Sequence, residues 1–196
     1  MKPDKIILPT VCILLATLLF AIIPTEADAA IYQDTVRLHI LAPSDSVDDQ
    51  ALKLKIRDKI LEKYGSMLSH AENTDEARAK IQACITNIEN DCTEWVHAEG
   101  YSYSVKAEFT EEWYNTREYA DFALPSGNYS SLRIIIGEGE GQNWWCVMYP
   151  PLCLDIATEK TSQSYTKEES LLISDSGYRV KFKLLEIAAS VFGGRK

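Results

Sequence analysis

The side chain best suited to acid–base chemistry is His39, which lies beside Arg37 in the stretch TVRLHILA at 35–42. An imidazole titrates near neutral pH, and Asp45 follows shortly after it, so the two could serve as acid–base groups. A hydrolase also needs a nucleophile, and the sequence contains neither a GxSxG motif nor a Cys-His signature. It also lacks the HExxH motif of zincins. A hydrolase acting on cell wall or peptide, with His39 and Asp45 as its acid–base groups, is therefore kept as the second hypothesis.

Glycines and carboxylates alternate in GEGEG at 137–141, a stretch that could be expected to hold a phosphate or a metal ion. A GxGxxG cradle would need glycine where Gln142 stands, and Glu138 and Glu140 would repel a phosphate. Two carboxylates are also few for calcium, which takes about six to eight oxygen ligands. We interpret the stretch as a flexible acidic loop that joins two strands as a hairpin. No metal site and no cofactor are expected.

The elements that must position these residues follow from the hydrophobic periodicity, which predicts a single α+β domain over 30–196. Two N-terminal helices are expected to pack on an antiparallel β-sheet. Strands are predicted at 35–42, 101–109, 118–124, 132–136 and 144–149, and helices at 47–67 and from 73 to about 100. Ser46 and Asn73 have the spacing of helix N-caps, and Gly65 is expected to end the first helix. Residues 178–192 fit a strand turning into a short helix.

Residues 1–29 have the pattern of a signal peptide, with Lys2 and Lys5, an apolar run over 6–23, and Ala27-Asp28-Ala29. A retained membrane anchor is the alternative, because the apolar run is at the lower limit for a spanning helix. Either way, residues 30–196 are expected to be exported. Loss of two lysines and three acidic residues changes the net charge from −9 to −9 + 1 = −8. Nucleic acid and anionic lipid are therefore not expected as partners.

Two adjacent tryptophans and two pairs of cysteines are the other sequence features that indicate a binding or structural role. Trp144 and Trp145 lie on one predicted strand, so their rings should face opposite sides of the sheet. The outer ring is expected either under a helix or the chain's tail, or exposed as an anchor for a partner. Cys146 and Cys153 flank Pro150-Pro151, which can bend the chain, and a disulfide is predicted between them. Two further cysteines lie about 12 Å apart along the second helix, beyond disulfide reach, and are expected as buried free thiols: Cys84 and Cys92.

Two long segments resemble the stage II sporulation protein R family: RLHILAPSDSVDDQALKLKIRD (37–58) and LPSGNYSSLRIIIGEGEGQNWWCVMYPPLC (124–153). The short YRVKFKLLE (178–186) is similar to the C-terminal segment of the same family. One departure is Pro43, where an asparagine is expected, so contacts made there by family members are in doubt here. The resemblance implies a signalling protein made in the forespore and exported into the space facing the mother cell. There it would trigger a membrane-embedded aspartic protease, sporulation protein GA, which processes the precursor of sigma factor E.

The implied function is not enzymatic, and it requires a surface for the receptor. We expect that surface to combine the outward face of the first strand, the loop that follows it, the acidic loop and one tryptophan. Its predicted residues are Arg37, His39, Asp45, Ser46, Glu138, Glu140 and Trp145. A membrane-anchored structural module is a third possibility, which an N-terminus still starting at Met1 after export would indicate.

Overall fold

The computed structural model describes residues 26–118 and 123–150, together with Thr10, Cys12 and Ala16, and all structural statements concern these residues. The predicted tail element at 178–192 and Cys153 lie outside them, as does most of the predicted signal segment. Among the described residues, no helix is long and apolar enough to cross a membrane. In chain order the elements are α1 (Glu26–Gln33), β1 (Val36–Leu41), α2 (Val47–Ile60), α3 (Ser66–Leu68), α4 (Thr74–Ala98), β2 (Val105–Tyr114), β3 (Arg117–Glu118), β4 (Ala123–Leu124), β5 (Gly127–Ile136) and β6 (Asn143–Tyr149).

Local signals place the helices. Ser46 caps α2 by accepting a hydrogen bond from the Asp49 backbone N–H, and Asn73 caps α4 by accepting from the Glu76 N–H. Both predicted caps are confirmed. Gly100, with φ +88°, follows the end of α4 as expected.

Gly65 does not end the first helix. Its φ is −62°, and the helix continues from α2 through a π-helical turn, Leu61–Gly65, into α3. Leu61 and Tyr64 on this turn, and Leu68 at the end of α3, are buried and pack in the core. Their burial outweighs the roughly 1 kcal/mol by which glycine disfavours a helix.

The main sheet has the strand order β2-β5-β1-β6, and the α+β class is confirmed. The sheet is mixed and not wholly antiparallel, because β1 runs parallel to β5, with Val36 opposite Ser130. β1 also pairs antiparallel with β6 on its other side. The predicted hairpin between β5 and β6 is wrong, since β1 lies between these two strands. The acidic loop therefore crosses the end of β1.

One face of the sheet is the hydrophobic core. Val36, Leu38 and Ile40 of β1 are fully buried against the helices, next to Leu132 and Ile134 of β5. The helices contribute buried residues at helical spacing: Leu52, Ile56, Ile60, Ala77, Ile81, Ile88, Cys92 and Val96.

The two cysteines of α4 are free thiols, as predicted. Cys92 is buried, and burial raises the pKa of its thiol to about 12, which keeps it protonated and unreactive. Cys84 is only half-buried and lies 4.0 Å from the Met67 sulfur.

Candidate functional site

The face of the sheet turned away from the helices is polar. Alternation along β1 turns Arg37 and His39 to this face, and the strand register places neighbours from the other strands beside them. We call this set the polar face: Arg37, His39, Glu112, Tyr114, Ser131, Arg133 and Trp145.

His39 is the centre of the polar face. Its Nδ1 lies 3.1 Å and 3.2 Å from the two carboxylate oxygens of Glu112, and its Nε2 lies 3.0 Å from Oδ1 of Asn143. Its ring stacks on Trp145, with a centroid separation of 5.6 Å and an interplanar angle of 25°. His39 is thus held on both nitrogens and on one ring face, which fixes its orientation.

Glu112 is the acid partner of His39. Burial raises the pKa of the Glu112 carboxyl, but hydrogen bonds from His39 and Ser131, with the charges of His39 and Arg133, outweigh burial. The pKa therefore lies below its ordinary value, and the carboxylate is ionised at neutral pH.

Replacing Glu112 with glutamine is expected to lower the free energy of unfolding at pH 7 by about 1–3 kcal/mol, because a charge-assisted hydrogen bond is lost. The folded-state pKa is depressed, so ionised Glu112 stabilises the fold above its ordinary pKa of 4.5. That contribution is lost as the pH falls through the folded-state pKa. Urea unfolding at pH 7 and pH 3 should show the difference between wild type and variant shrinking in acid. A gap of equal size at both pH values would contradict this, and Glu108→Gln on the same strand serves as the control.

Arg37 is fully buried. Its Nε donates to the Cys146 carbonyl oxygen at 3.2 Å, and its guanidinium carbon lies 4.3 Å from the Tyr114 ring centroid and 5.1 Å from that of Tyr129. Two aromatic rings therefore cover the cation on the face where sequence alternation placed it. Its contacts are those of a residue that holds β1, β2, β5 and β6 together.

The two tryptophans face opposite sides of the sheet, as predicted. Trp144 packs against the hydrophobic core, with the Arg57 guanidinium of α2 4.5 Å from its ring centroid. Trp145 belongs to the polar face, and the Arg117 guanidinium of β3 lies 4.0 Å from its ring centroid. Both rings are half-buried, and each has a cation against it.

A second group of predicted residues lies at the end of β1, where two loops meet. We call residues 42–46 and 137–142 the loop pair. The Gly141 N–H donates to the Ala42 carbonyl at 2.9 Å, and the Gln142 N–H donates to the Asp45 carboxylate at 2.7 Å. Lys53 of α2 closes the arrangement by donating to the Gln142 carbonyl at 2.7 Å.

Close approach of backbone explains one glycine in the acidic loop. A Cβ at Gly141 would lie 2.2 Å from the Ser44 carbonyl oxygen, closer than any real contact. Glu138 and Glu140 are exposed. Ser46 is occupied as the cap of α2.

The predicted site residues thus form two groups, and Arg37 is buried beneath one of them. His39 and Trp145 lie together on the polar face, whereas Asp45, Ser46, Glu138 and Glu140 belong to the loop pair. The hypothetical acid–base pair is not formed, because His39 bonds to Glu112 and Asp45 bonds to Gln142. Within the described residues, no group of three or more His, Cys, Asp or Glu side chains could hold a metal ion.

Sequence reasoning missed Glu112 and Asn143. Strand β2 was predicted to end at residue 109, but it continues to Tyr114 with Glu108, Thr110, Glu112 and Tyr114 alternating on one face. This alternation beyond residue 109 is the sequence pattern that could have predicted the full length of β2. Asn143 is the first residue of β6 and pairs with Leu41, next to His39.

Of the two cysteines in the predicted disulfide, the structure describes only Cys146. Cys146 is not a free thiol, whereas Cys153 is outside the described residues. Its pairing with Cys153 stays a prediction.

Fold and site together define a small α+β domain whose distinctive residues form a polar sheet face and an acidic loop pair. Residues 32–159 match the sequence profile of the family described as Stage II sporulation protein R. A curated relative, Stage II sporulation protein R of Bacillus subtilis (strain 168), is 32% identical over 181 residues, covering 80% of this chain and 81% of that protein. No solved structure matches the chain. The chain belongs to the stage II sporulation protein R family and has a role in sporulation.

Proposed function

We propose that the protein is an exported sporulation signal that activates a membrane-embedded aspartic protease of the sporulation protein GA type. The activated protease then processes the precursor of sigma factor E and so couples forespore to mother-cell gene expression. In this proposal the domain acts in the space between the forespore and mother-cell membranes. Family membership supports the sporulation role, and the receptor and its substrate come from the family resemblance.

One observation carries the proposal beyond the family name. The two segments that resemble the family, 37–58 and 124–153, are distant in sequence, yet two hydrogen bonds join them at the loop pair, from the Gly141 N–H to the Ala42 carbonyl and from the Gln142 N–H to the Asp45 carboxylate. These hydrogen bonds fix the backbone of both loops, while four acidic side chains stay exposed: Asp45, Asp48, Glu138 and Glu140. A fixed backbone that presents unburied acids is suited to recognition by a partner with complementary charge.

The geometry around His39 favours this function over hydrolysis. Glu112 orients His39 as the acid of a catalytic triad would, but the other ring nitrogen meets the Asn143 amide. Within the described residues, no hydroxyl or thiol is hydrogen-bonded to His39, so the nucleophile position of a triad is not formed there.

Co-expression of the protein with the membrane protease and the sigma-factor precursor in a non-sporulating host tests the proposal. Precursor cleavage should appear only when all three proteins are present. Cleavage that does not require this protein would overturn the proposed function.

Neutralising the acidic loop with Glu138→Gln and Glu140→Gln is expected to slow precursor processing about tenfold, because charged surface residues steer association. The melting temperature should stay within a few degrees, since both side chains are exposed. Immunoblots of precursor over time measure the rate. Glu62→Gln with Glu94→Gln is the matched control, because it removes the same charge from two exposed helical positions. Equal rates for the two double variants would exclude the loop from recognition.

A further inference from the structure

Strand β2 is an edge of the main sheet as far as the chain is described, and part of its outer side has no hydrogen-bond partner among those residues. It pairs with β5 on one side along all ten of its residues. On the other side, the described part of the chain contains no strand paired with it. Edge strands with free backbone groups are templates for strand addition, so what protects this edge decides what it can bind.

The direction of each backbone group follows from two hydrogen bonds. The Ser104 carbonyl accepts from the Gly137 N–H, so the even-numbered positions turn their backbone groups toward β5. The Ala107 N–H instead donates to the Glu89 carboxylate of α4 at 2.9 Å, on the outer side. Because an antiparallel ladder alternates, the N–H and C=O groups of Phe109, Glu111 and Trp113 also point outward. No described residue bonds to these six groups, so the edge is capped at Ala107 and open beyond it.

Two carboxylates lie along this edge, Glu89 at its capped end and Glu111 in its open part. Glu89 accepts from the Ala107 N–H, and Glu111 accepts from the Ser130 hydroxyl at 2.6 Å. Both donors are neutral, and neither carboxylate has a salt-bridge partner within the described residues. Trp113, 53% exposed, adds a flat aromatic surface at the far end.

These features argue against a second copy of the chain as the occupant. Two β2 edges paired antiparallel about their centres would bring like charges, Glu111 and its equivalent, close together. A segment bearing lysine or arginine would instead neutralise Glu89 and Glu111. Its side-chain stems could also pack on the Trp113 ring.

We propose that the outward edge of β2 from Phe109 to Trp113 binds an extended, lysine- or arginine-bearing segment of a partner protein by strand addition. The main-chain groups of the segment pair with the three open residues, and its cations face Glu89 and Glu111. Assignment of this segment to the receptor rests on the proposed function, whereas the binding chemistry does not.

A pair of substitutions at one position separates backbone pairing from charge. Glu111→Pro removes both the carboxylate and the outward N–H, whereas Glu111→Gln removes only the charge. Proline is tolerated here because the N–H of residue 111 takes no part in the ladder to β5. Circular dichroism and thermal melting would establish that both variants fold.

The binding assay uses a fluorescein-labelled peptide of alternating lysine and threonine, with an alternating glutamate–threonine peptide as the control, followed by fluorescence anisotropy. We expect Glu111→Gln to raise the Kd about threefold and Glu111→Pro to raise it at least about tenfold. The acidic peptide should not bind. Equal Kd values for the two variants, or equal binding of both peptides, would overturn the proposal. A concentration-dependent dimer that Glu111→Pro abolishes would also overturn it, by showing a second copy to be the occupant.

The precursor-processing assay separates failure of this proposal from failure of the proposed function. If folded Glu111→Pro protein activates processing to the same extent as Glu111→Gln, the receptor does not bind at the β2 edge, while the proposed activating function still holds. If the wild-type protein does not activate processing, the receptor assignment fails with the proposed function. The peptide measurements then test only whether the β2 edge binds basic extended segments, independently of any receptor.

Discussion

Alanine in place of Arg37 is expected to lower the free energy of unfolding by about 3–5 kcal/mol. Arg37 is fully buried between the rings of Tyr114 and Tyr129 and donates to the Cys146 carbonyl. The substitution leaves a cavity under two rings, removes both cation–aromatic contacts and removes the hydrogen bond that Arg37 donates to the Cys146 carbonyl. Urea denaturation followed by tryptophan fluorescence measures the loss.

Two further variants make the Arg37 experiment specific. Lysine should restore little of the stability, because an ammonium group cannot stack as a planar guanidinium does. Arg133→Ala is the matched control on the same face, where the side chain is 34% exposed, and a loss of about 1 kcal/mol or less is expected. If Arg37→Ala and Arg133→Ala destabilised the protein equally, the packing role assigned to Arg37 would be wrong.

Gly141→Ala is expected to lower the free energy of unfolding by about 2–3 kcal/mol and to abolish most precursor processing. The new methyl carbon would overlap the Ser44 carbonyl oxygen, and backbone atoms on both sides prevent easy relief. The Gly141 N–H bond to Ala42 and the Gln142 N–H bond to Asp45 would separate. The two loops would then lose their fixed relation.

The neighbouring Glu140→Ala is the control, since residue 140 is exposed and its backbone is unaffected by a Cβ it already has. Its stability should match that of wild type within about 0.5 kcal/mol. Wild-type stability and processing in Gly141→Ala would show that the loops do not need their close approach.

Features encoded by neighbouring residues were predictable. The alternation of TVRLHILA defined β1, the spacing of Ser46 and Asp49 defined the cap of α2, and the adjacency of Trp144 and Trp145 put their rings on opposite faces. Each of these signals is complete within a few residues of chain. None depends on which strand lies next to which.

Strand neighbours could not be predicted in the same way. Chain adjacency of 132–136 and 144–149 favoured a hairpin, but nothing local shows that β1, about 90 residues earlier, occupies the space between them. The His39–Glu112 contact was hidden for the same reason. β5 separates their strands, so the side chains meet across about 9.6 Å of sheet. Alternation likewise assigned Arg37 to the outward face without showing that Tyr114 and Tyr129 would cover it.

The position of β1 has a consequence for the order of folding. Val36 pairs with Ser130, which is 130 − 36 = 94 residues later, and with Tyr149, later still. The strand that is synthesised first therefore gains both neighbours only when almost all the described chain has emerged. Until then β1 is a strand with one apolar face and two unpaired edges, and closing such long loops slows folding. The antiparallel pair of β2 and β5 can form between neighbouring stretches of chain, but β1 can join the sheet only after β5 has been made, and β6 then pairs on its other side.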